Sequence, residues 1–296
     1  MQLALETTGL TRPSERVGDC AQELFYLRVV DTSTGEITMK LKNAAFCHWR
    51  HCPICQWRKS LKNKAILMTA LPKVLQKYPT SRFAMLTLTV KNCQVSDLRS
   101  TIETMNEAWK RLILRETWPA LGWVRAVEVT RSKSGSVHPH FHCLLMLPAD
   151  YFGRKYISTR AWVQLWREAA RLDYDPICDI RTIKPKVKIS AEIDDDELRL
   201  LALASSVSEV VKYATKTADL LSGGPDFLRE YVAQVKNLKF LTSGGELKGI
   251  IKDMKKEDLV HLDEEKDAEN GFEILGPPTR FDWYKIQKKY GRKRRT

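Results

Sequence analysis

Apolar positions change period several times along the chain, and each change marks an element. Residues 23–30 and 37–45 are apolar and β-prone, and the turn-forming run Asp31-Thr32-Ser33-Thr34-Gly35 separates them, which predicts a hairpin. From 57 to 78, Leu61, Ala65, Leu67, Met68 and Leu71 recur at helical spacing, with Pro72 expected to interrupt. Residues 83–90 form an apolar run suited to a buried central strand. Leu98, Ile102, Met105, Trp109 and Leu112 then make one stripe on a helix. Two further strands, 123–129 and 137–147, flank a basic turn at 130–136 and are expected to lie side by side. A second amphipathic helix, capped by Ser158 or Thr159, runs through Trp162, Leu165, Trp166 and Ala169, whose aromatics read as core. A strand at 177–183 and a long helix at 197–221, stopping before Gly223-Gly224, complete the pattern.

This order predicts an α+β fold, an antiparallel sheet flanked by helices. The expected division is an N-terminal hairpin with its basic helix at 1–78, a central domain at 79–222, and a helical C-terminal part at 223–296. Residues 253–269 mix acid and base with few apolar positions and read as exposed or disordered. Lys285, Lys288, Lys289, Arg292, Lys293, Arg294 and Arg295 form a basic tail, either solvated or a phosphate-binding arm.

Composition narrows the partners. The chain has 296 residues, and its 49 Lys and Arg against 36 Asp and Glu leave a net charge of +13, a long-range attraction for nucleic acid. No signal-peptide-like stretch opens the chain and no segment approaches the roughly 18 apolar residues of a membrane span, so a cytoplasmic location and no membrane partner are expected. The cysteines number 7, an odd count, and three crowd into 47–55, which suits a metal site better than a disulfide framework.

Three clusters carry candidate chemistry. In His138-Pro139-His140-Phe141-His142, residues two apart on a strand face the same side, so His140 and His142 can aim both imidazoles at one ion. Glu128, across the 130–136 turn, can add a carboxylate. Two imidazoles, a carboxylate and open positions suit Mn2+ or Mg2+ acting on a phosphodiester. In the second cluster, helical spacing would align Glu209, Tyr213 and Lys216, a nucleophilic phenol with electrostatic helpers. In the third, Cys47, Cys52 and Cys55 form a thiolate set for Zn2+, with Cys20 the first choice for fourth ligand and His51 or His48 the second. Around it Arg50, Arg58, Lys59, Lys62 and Lys64 are candidate phosphate contacts, as are Arg131, Lys133 and Lys212 nearer the first two clusters. Trp49 and Trp57 can stack on bases or pack over the hairpin. No Gly-x-x-x-x-Gly-Lys-Ser/Thr loop is present, so the chain is not expected to power unwinding.

The ordered segments Phe83-Ala84-Met85-Leu86-Thr87-Leu88-Thr89, His140-Phe141-His142 and Tyr213-Ala214-Thr215-Lys216 resemble the motifs of HUH endonucleases, specifically rolling-circle plasmid replication initiators. The resemblance covers roughly residues 20–250, including the Cys-rich segment. It implies a five-stranded sheet, a DNA origin as partner and a host helicase for unwinding. It further implies that His140 and His142 hold the ion, with Glu128 at the looser place of a third ligand. Tyr213 would take the 5′ phosphate and free a 3′ hydroxyl primer, with Lys216 assisting. Conjugative relaxases of the same superfamily carry the tyrosine before the histidines, so the order here argues for the replication branch. Some relatives place a second tyrosine where Glu209 stands, and a carboxylate there implies termination by assisted hydrolysis. The rival readings are a single-strand transposase or mobilisation nuclease, and a non-catalytic zinc-dependent DNA-binding regulator.

Overall fold

The computed structural model describes residues 1–183, 195–212, 215–248, 271–284, 287 and 289–292. The elements follow in the order α1 (Gln2–Thr7), α2 (Thr11–Gly18), β1 (Glu23–Asp31), β2 (Ile37–Ala44), α3 (Pro53–Lys77), β3 (Arg82–Thr89), α4 (Leu98–Ile113), β4 (Gly122–Arg131) and β5 (Val137–Leu147). After them come α5 (Thr159–Ala170), β6 (Cys178–Thr182), α6 (Asp195–Val211), α7 (Thr217–Ser222), α8 (Gly224–Gln234), β7 (Leu241–Gly245), β8 (Phe272–Ile274), β9 (Thr279–Tyr284) and β10 (Lys289–Arg292). The fold is α+β with antiparallel pairing, as the alternation of periods predicts, and it holds two five-stranded sheets where the sequence predicts one sheet and a hairpin.

Two compact units result, Met1–Lys62 with Lys256–Thr296, and Asn63–Lys255. Compactness therefore divides the chain elsewhere than at 78 and 222, and the C-terminal part is not simply helical. After α8 the chain supplies β7 to one unit and β8, β9 and β10 to the other. Backbone pairing decides this, because β1 binds β2 along one side and β9 and β8 along the other. The mixed-charge stretch at 253–269 lies outside the described residues, as do Lys285, Lys288, Lys293, Arg294 and Arg295. Lys289 and Arg292 belong to β10, which pairs with β9.

Residues 63–255 are built on a sheet of order β6-β3-β5-β4-β7. On one face α3 and α6 contribute Ile66, Leu67, Leu71, Val74, Leu203, Val207 and Val210 to a core with Val124, Leu144 and Met146 of the sheet. Side chains of this kind stabilise by about 1.5–3 kcal/mol each when fully buried. On the other face α4 and α5 pack their aromatics, and Phe141 lies 6.2 Å from Trp109 and 6.0 Å from Trp166, centroid to centroid. Trp162 and Trp166 are fully buried, so they belong to the core.

Two helices depart from expectation. Pro72 does not interrupt α3, which runs through it. The buried stripe of Ile66, Leu67, Ala70, Leu71, Val74 and Leu75 continues on both sides and offsets the lost backbone hydrogen bond. The expected helix over 197–221 is two, because α6 stops at Val211 and α7 starts at Thr217. Val210 and Val211 are weak helix formers, and Thr215 is drawn into the core, where its Oγ1 lies 2.5 Å from the hydroxyl of buried Tyr231 on α8.

Candidate metal centres

Strand register assembles the first centre. β5 lies between β3 and β4, with Glu128 opposite His140 and Thr87 opposite His142. Since alternate residues share a face, Glu128, His140 and His142 project to the same side near one end of the sheet. His140 Nε2 and His142 Nε2 are 3.2 Å apart, and Glu128 Oε2 lies 3.5 Å from the former and 2.9 Å from the latter. An ion held at about 2.1 Å by three mutually perpendicular ligands needs them roughly 3.0 Å apart, so the spacing fits Mg2+ or Mn2+. Glu128 Oε2 is buried and accepts no hydrogen bond of good geometry, although charged and ring nitrogens crowd around it, so a lone pair is left that a cation could use.

The remaining ring nitrogens fix this orientation. His140 Nδ1 lies 3.1 Å from the carbonyl oxygen of His138, so it must be the nitrogen that carries the proton and donates. Its Nε2 is then turned toward Glu128 and His142. His142 Nδ1 meets Thr87 Oγ1 at 3.3 Å. Sequence reasoning missed Thr87 as a partner, although its place opposite His142 follows once β3 and β5 are aligned. His138 stacks on His140 at 5.3 Å between centroids and is not one of the three grouped ligands.

Charge around this centre comes from α6 and the residue after it. Glu209 Oε1 is 4.0 Å from His142 Nε2, while Lys212 Nζ lies 3.1 Å from Glu128 Oε2 and also pairs with Glu209. Burial alone would raise the Glu128 pKa, yet His140, His142 and Lys212 together hold it far below the usual carboxylate range. Burial likewise works against the Lys212 ammonium, and the two glutamates outweigh it and raise its pKa. The expected alignment of Glu209 with Lys216 on one helix is absent, because α6 has ended; Lys216 stands exposed before α7. Lys212, expected among the DNA contacts, stands beside the ligand triad. Tyr213 and Ala214 lie outside the described residues.

The second centre is local. Cys20 follows α2, Cys47 follows the β1–β2 hairpin, and Cys52 and Cys55 sit at the start of α3, with their four sulfurs within 4.8 Å of one another. Cys55 Sγ lies 3.6 Å from the sulfurs of Cys20 and Cys47. Tetrahedral zinc at about 2.3 Å from sulfur needs roughly 3.8 Å between sulfurs, so the cluster fits a zinc site. Backbone N–H groups support the thiolates: Cys47 donates to Cys20 Sγ and Trp49 to Cys47 Sγ, each at 3.4 Å. The hydrogen bond from Cys20 pushes the Cys52 thiol down to about 5, while burial pushes Cys47 up to about 11.

Cys20 completes this group and neither histidine does. His48 is exposed with φ at 52°, and His51 is buried against Trp49 with 5.0 Å between rings. Burial pushes the His51 pKa down to about 4. Trp49 packs against the cysteines, whereas Trp57 on α3 is 53 % exposed. Arg58 stacks over Phe46 at 3.5 Å, Arg50 is half-buried and Lys59 exposed. Arg131 sits over the Phe227 ring at 5.1 Å, and Lys133 is exposed in the β4–β5 turn. Among the described residues no helix is long and apolar enough to cross a membrane.

A family of sequences described as "Replication protein" matches residues 38–291. A "Protein rep" of Bacillus amyloliquefaciens is 35 % identical over 288 residues, 89 % of this chain and 81 % of its own length. Another "Protein rep", from a Bacillus species, is 36 % identical over 220 residues, 72 % of this chain and 69 % of the relative. One from Lactiplantibacillus plantarum is 31 % identical over 245 residues, covering 77 % and 74 %. No solved structure matches.

Proposed function

Because the chain belongs to the replication protein family, the initiators of rolling-circle plasmids, we propose that it opens the replication cycle as a tyrosine endonuclease that nicks one origin strand. The observation that carries this reading is the convergence of Glu128 Oε2, His140 Nε2 and His142 Nε2, each within 3.5 Å of the next, with both Nδ1 atoms engaged elsewhere. These three residues would hold Mn2+ or Mg2+, which supplies a Lewis acid for a phosphodiester oxygen.

Tyr213 follows Lys212 in the chain, and Lys212 stands at the triad. In the proposed nick the Tyr213 phenolic oxygen bonds to phosphorus as the bond from phosphorus to the 3′ oxygen breaks. The products are a 5′-phosphotyrosine and a 3′ hydroxyl that primes synthesis. A free phenol has a pKa near 10, so a neighbouring cation is needed to stabilise the phenolate. At the end of the cycle Glu209 takes a proton from water as the water oxygen bonds to phosphorus and the tyrosine oxygen leaves. Its side chain is 46 % exposed, open enough for water to reach it. The four cysteines would hold structural Zn2+ in the other unit, where basic residues such as Arg50 and Lys59 would meet DNA phosphates. Unwinding would fall to a host helicase.

The test is to incubate the zinc-loaded protein with a single-stranded origin oligonucleotide and Mn2+, then look for an adduct that survives denaturation. Tyr213→Phe is expected to abolish it; an adduct in that variant moves the nucleophile elsewhere. Glu209→Ala should still nick but release product slowly, and equal loss of both steps refutes that division of labour.

A further inference from the structure

Lys212 is the one residue at the triad whose charge opposes an incoming cation, among the described residues there. Its ammonium contacts Glu128 Oε2 at 3.1 Å, the same oxygen that approaches both imidazoles, and it pairs with Glu209 as well. The Lys212 side chain is 34 % exposed, whereas that of Glu128 is 7 % exposed. The ammonium therefore leans on the buried carboxylate from the solvent side, where a substrate must also arrive.

We propose that Lys212 couples loading of the divalent ion to arrival of a DNA phosphate, by sharing Glu128 with the ion and so weakening ion binding until the phosphate is present. The proposal rests on the ion-binding reading of Glu128, His140 and His142. Formal charge explains the effect. Glu128, Glu209 and Lys212 together carry one net negative charge. A divalent ion turns that into one net positive charge in a partly buried site, an unfavourable end point that a phosphodiester monoanion neutralises. With Lys212 made neutral, the two glutamates alone balance the ion, and the phosphate is no longer needed for neutrality. A like charge a few ångströms from the ion is enough to move its affinity by about tenfold. Linkage makes the effect reciprocal, so the ion must strengthen phosphate binding by the same factor.

An ordinary phosphate contact would behave differently. Neutralising it weakens DNA binding and leaves ion affinity as it was. The two roles are separable by titrating zinc-loaded protein with Mn2+ and following the free-ion electron paramagnetic resonance signal, with and without a 20-nucleotide oligothymidylate. Lys212→Gln is expected to bind Mn2+ about tenfold more tightly than wild type without DNA, and Lys212→Arg, which keeps the charge, to bind within about twofold of wild type. Oligothymidylate should strengthen Mn2+ binding to wild type by several-fold and to Lys212→Gln distinctly less. Unchanged or weaker Mn2+ affinity in Lys212→Gln, or the same DNA effect in both proteins, overturns the proposal. His142→Ala identifies the site: if wild type binds Mn2+ no better than this variant, the ion-binding reading itself fails. If only Lys212→Gln behaves like wild type, the coupling fails alone.

Discussion

The two centres answer the same chemical need by opposite means. The cysteine centre gathers four like side chains from a stretch of 36 residues, two of them on one helical turn, a set that could close around an ion. The histidine centre gathers two residue types from neighbouring strands, would leave coordination positions open on an ion, and is flanked by the charges of Glu209 and Lys212. A closed thiolate set is a structural staple, whereas an open, mixed set invites a substrate. On the proposed reading, the difference between them is a difference between holding a fold and exposing an ion.

The sharpest way to break this contrast is His142→Ala. It should lower nicking by more than about 100-fold, the ceiling for losing only an outer partner of a ligand, while zinc content stays at wild type. Nicking and metal analysis on one preparation check it, and joint loss of zinc and activity would merge the two centres. Cys52→Ser should do the reverse. Structural zinc contributes on the order of 10 kcal/mol of binding free energy to the fold it closes, so this variant should lose its zinc and become protease-sensitive within 1–62, with Mn2+ binding at His142 retained. Unchanged zinc content removes Cys52 from the ligand set. The smallest effect is expected for Thr87→Val, which keeps shape but leaves His142 Nδ1 without its 3.3 Å partner. Mn2+ affinity should fall roughly tenfold and recover in Thr87→Ser; equal affinity in all three proteins would make the contact incidental.

Much of this contrast is legible in the chain because its signals are local. Cys47, Cys52 and Cys55 announce themselves by spacing, and His140 with His142 by strand parity. Glu128 is found through the short turn that makes β4 and β5 antiparallel neighbours. What stayed hidden depends on distant partners. Residues 241–245, Leu-Thr-Ser-Gly-Gly, show no alternation, yet they form β7 because Gly244 lies flat against Trp123 and Gly245 adopts a φ of 57°. Only glycine allows that closeness, so the residues that make the strand possible also erase its signature. The end of α6 was equally hidden. Helical spacing carries on through Lys216, and the reason it stops is Thr215 reaching Tyr231, sixteen residues away. Lys212 therefore stands beside the triad, and Lys216 lies beyond the end of α6.

The return of the C-terminal strands to β1 has a consequence for biosynthesis. A ribosome releases the β1–β2 hairpin and all four cysteines well before residues 271–292, whose strands finish the same sheet. During that interval one edge of β1 presents bare N–H and C=O groups, the sort of template on which nascent chains stick together. Tyr290, which later donates to the carbonyl of Ala21 at 2.7 Å beside Cys20, has yet to be translated. Early capture of an ion by the cysteines would give the emerging segment a fixed shape while it waits for its last strands.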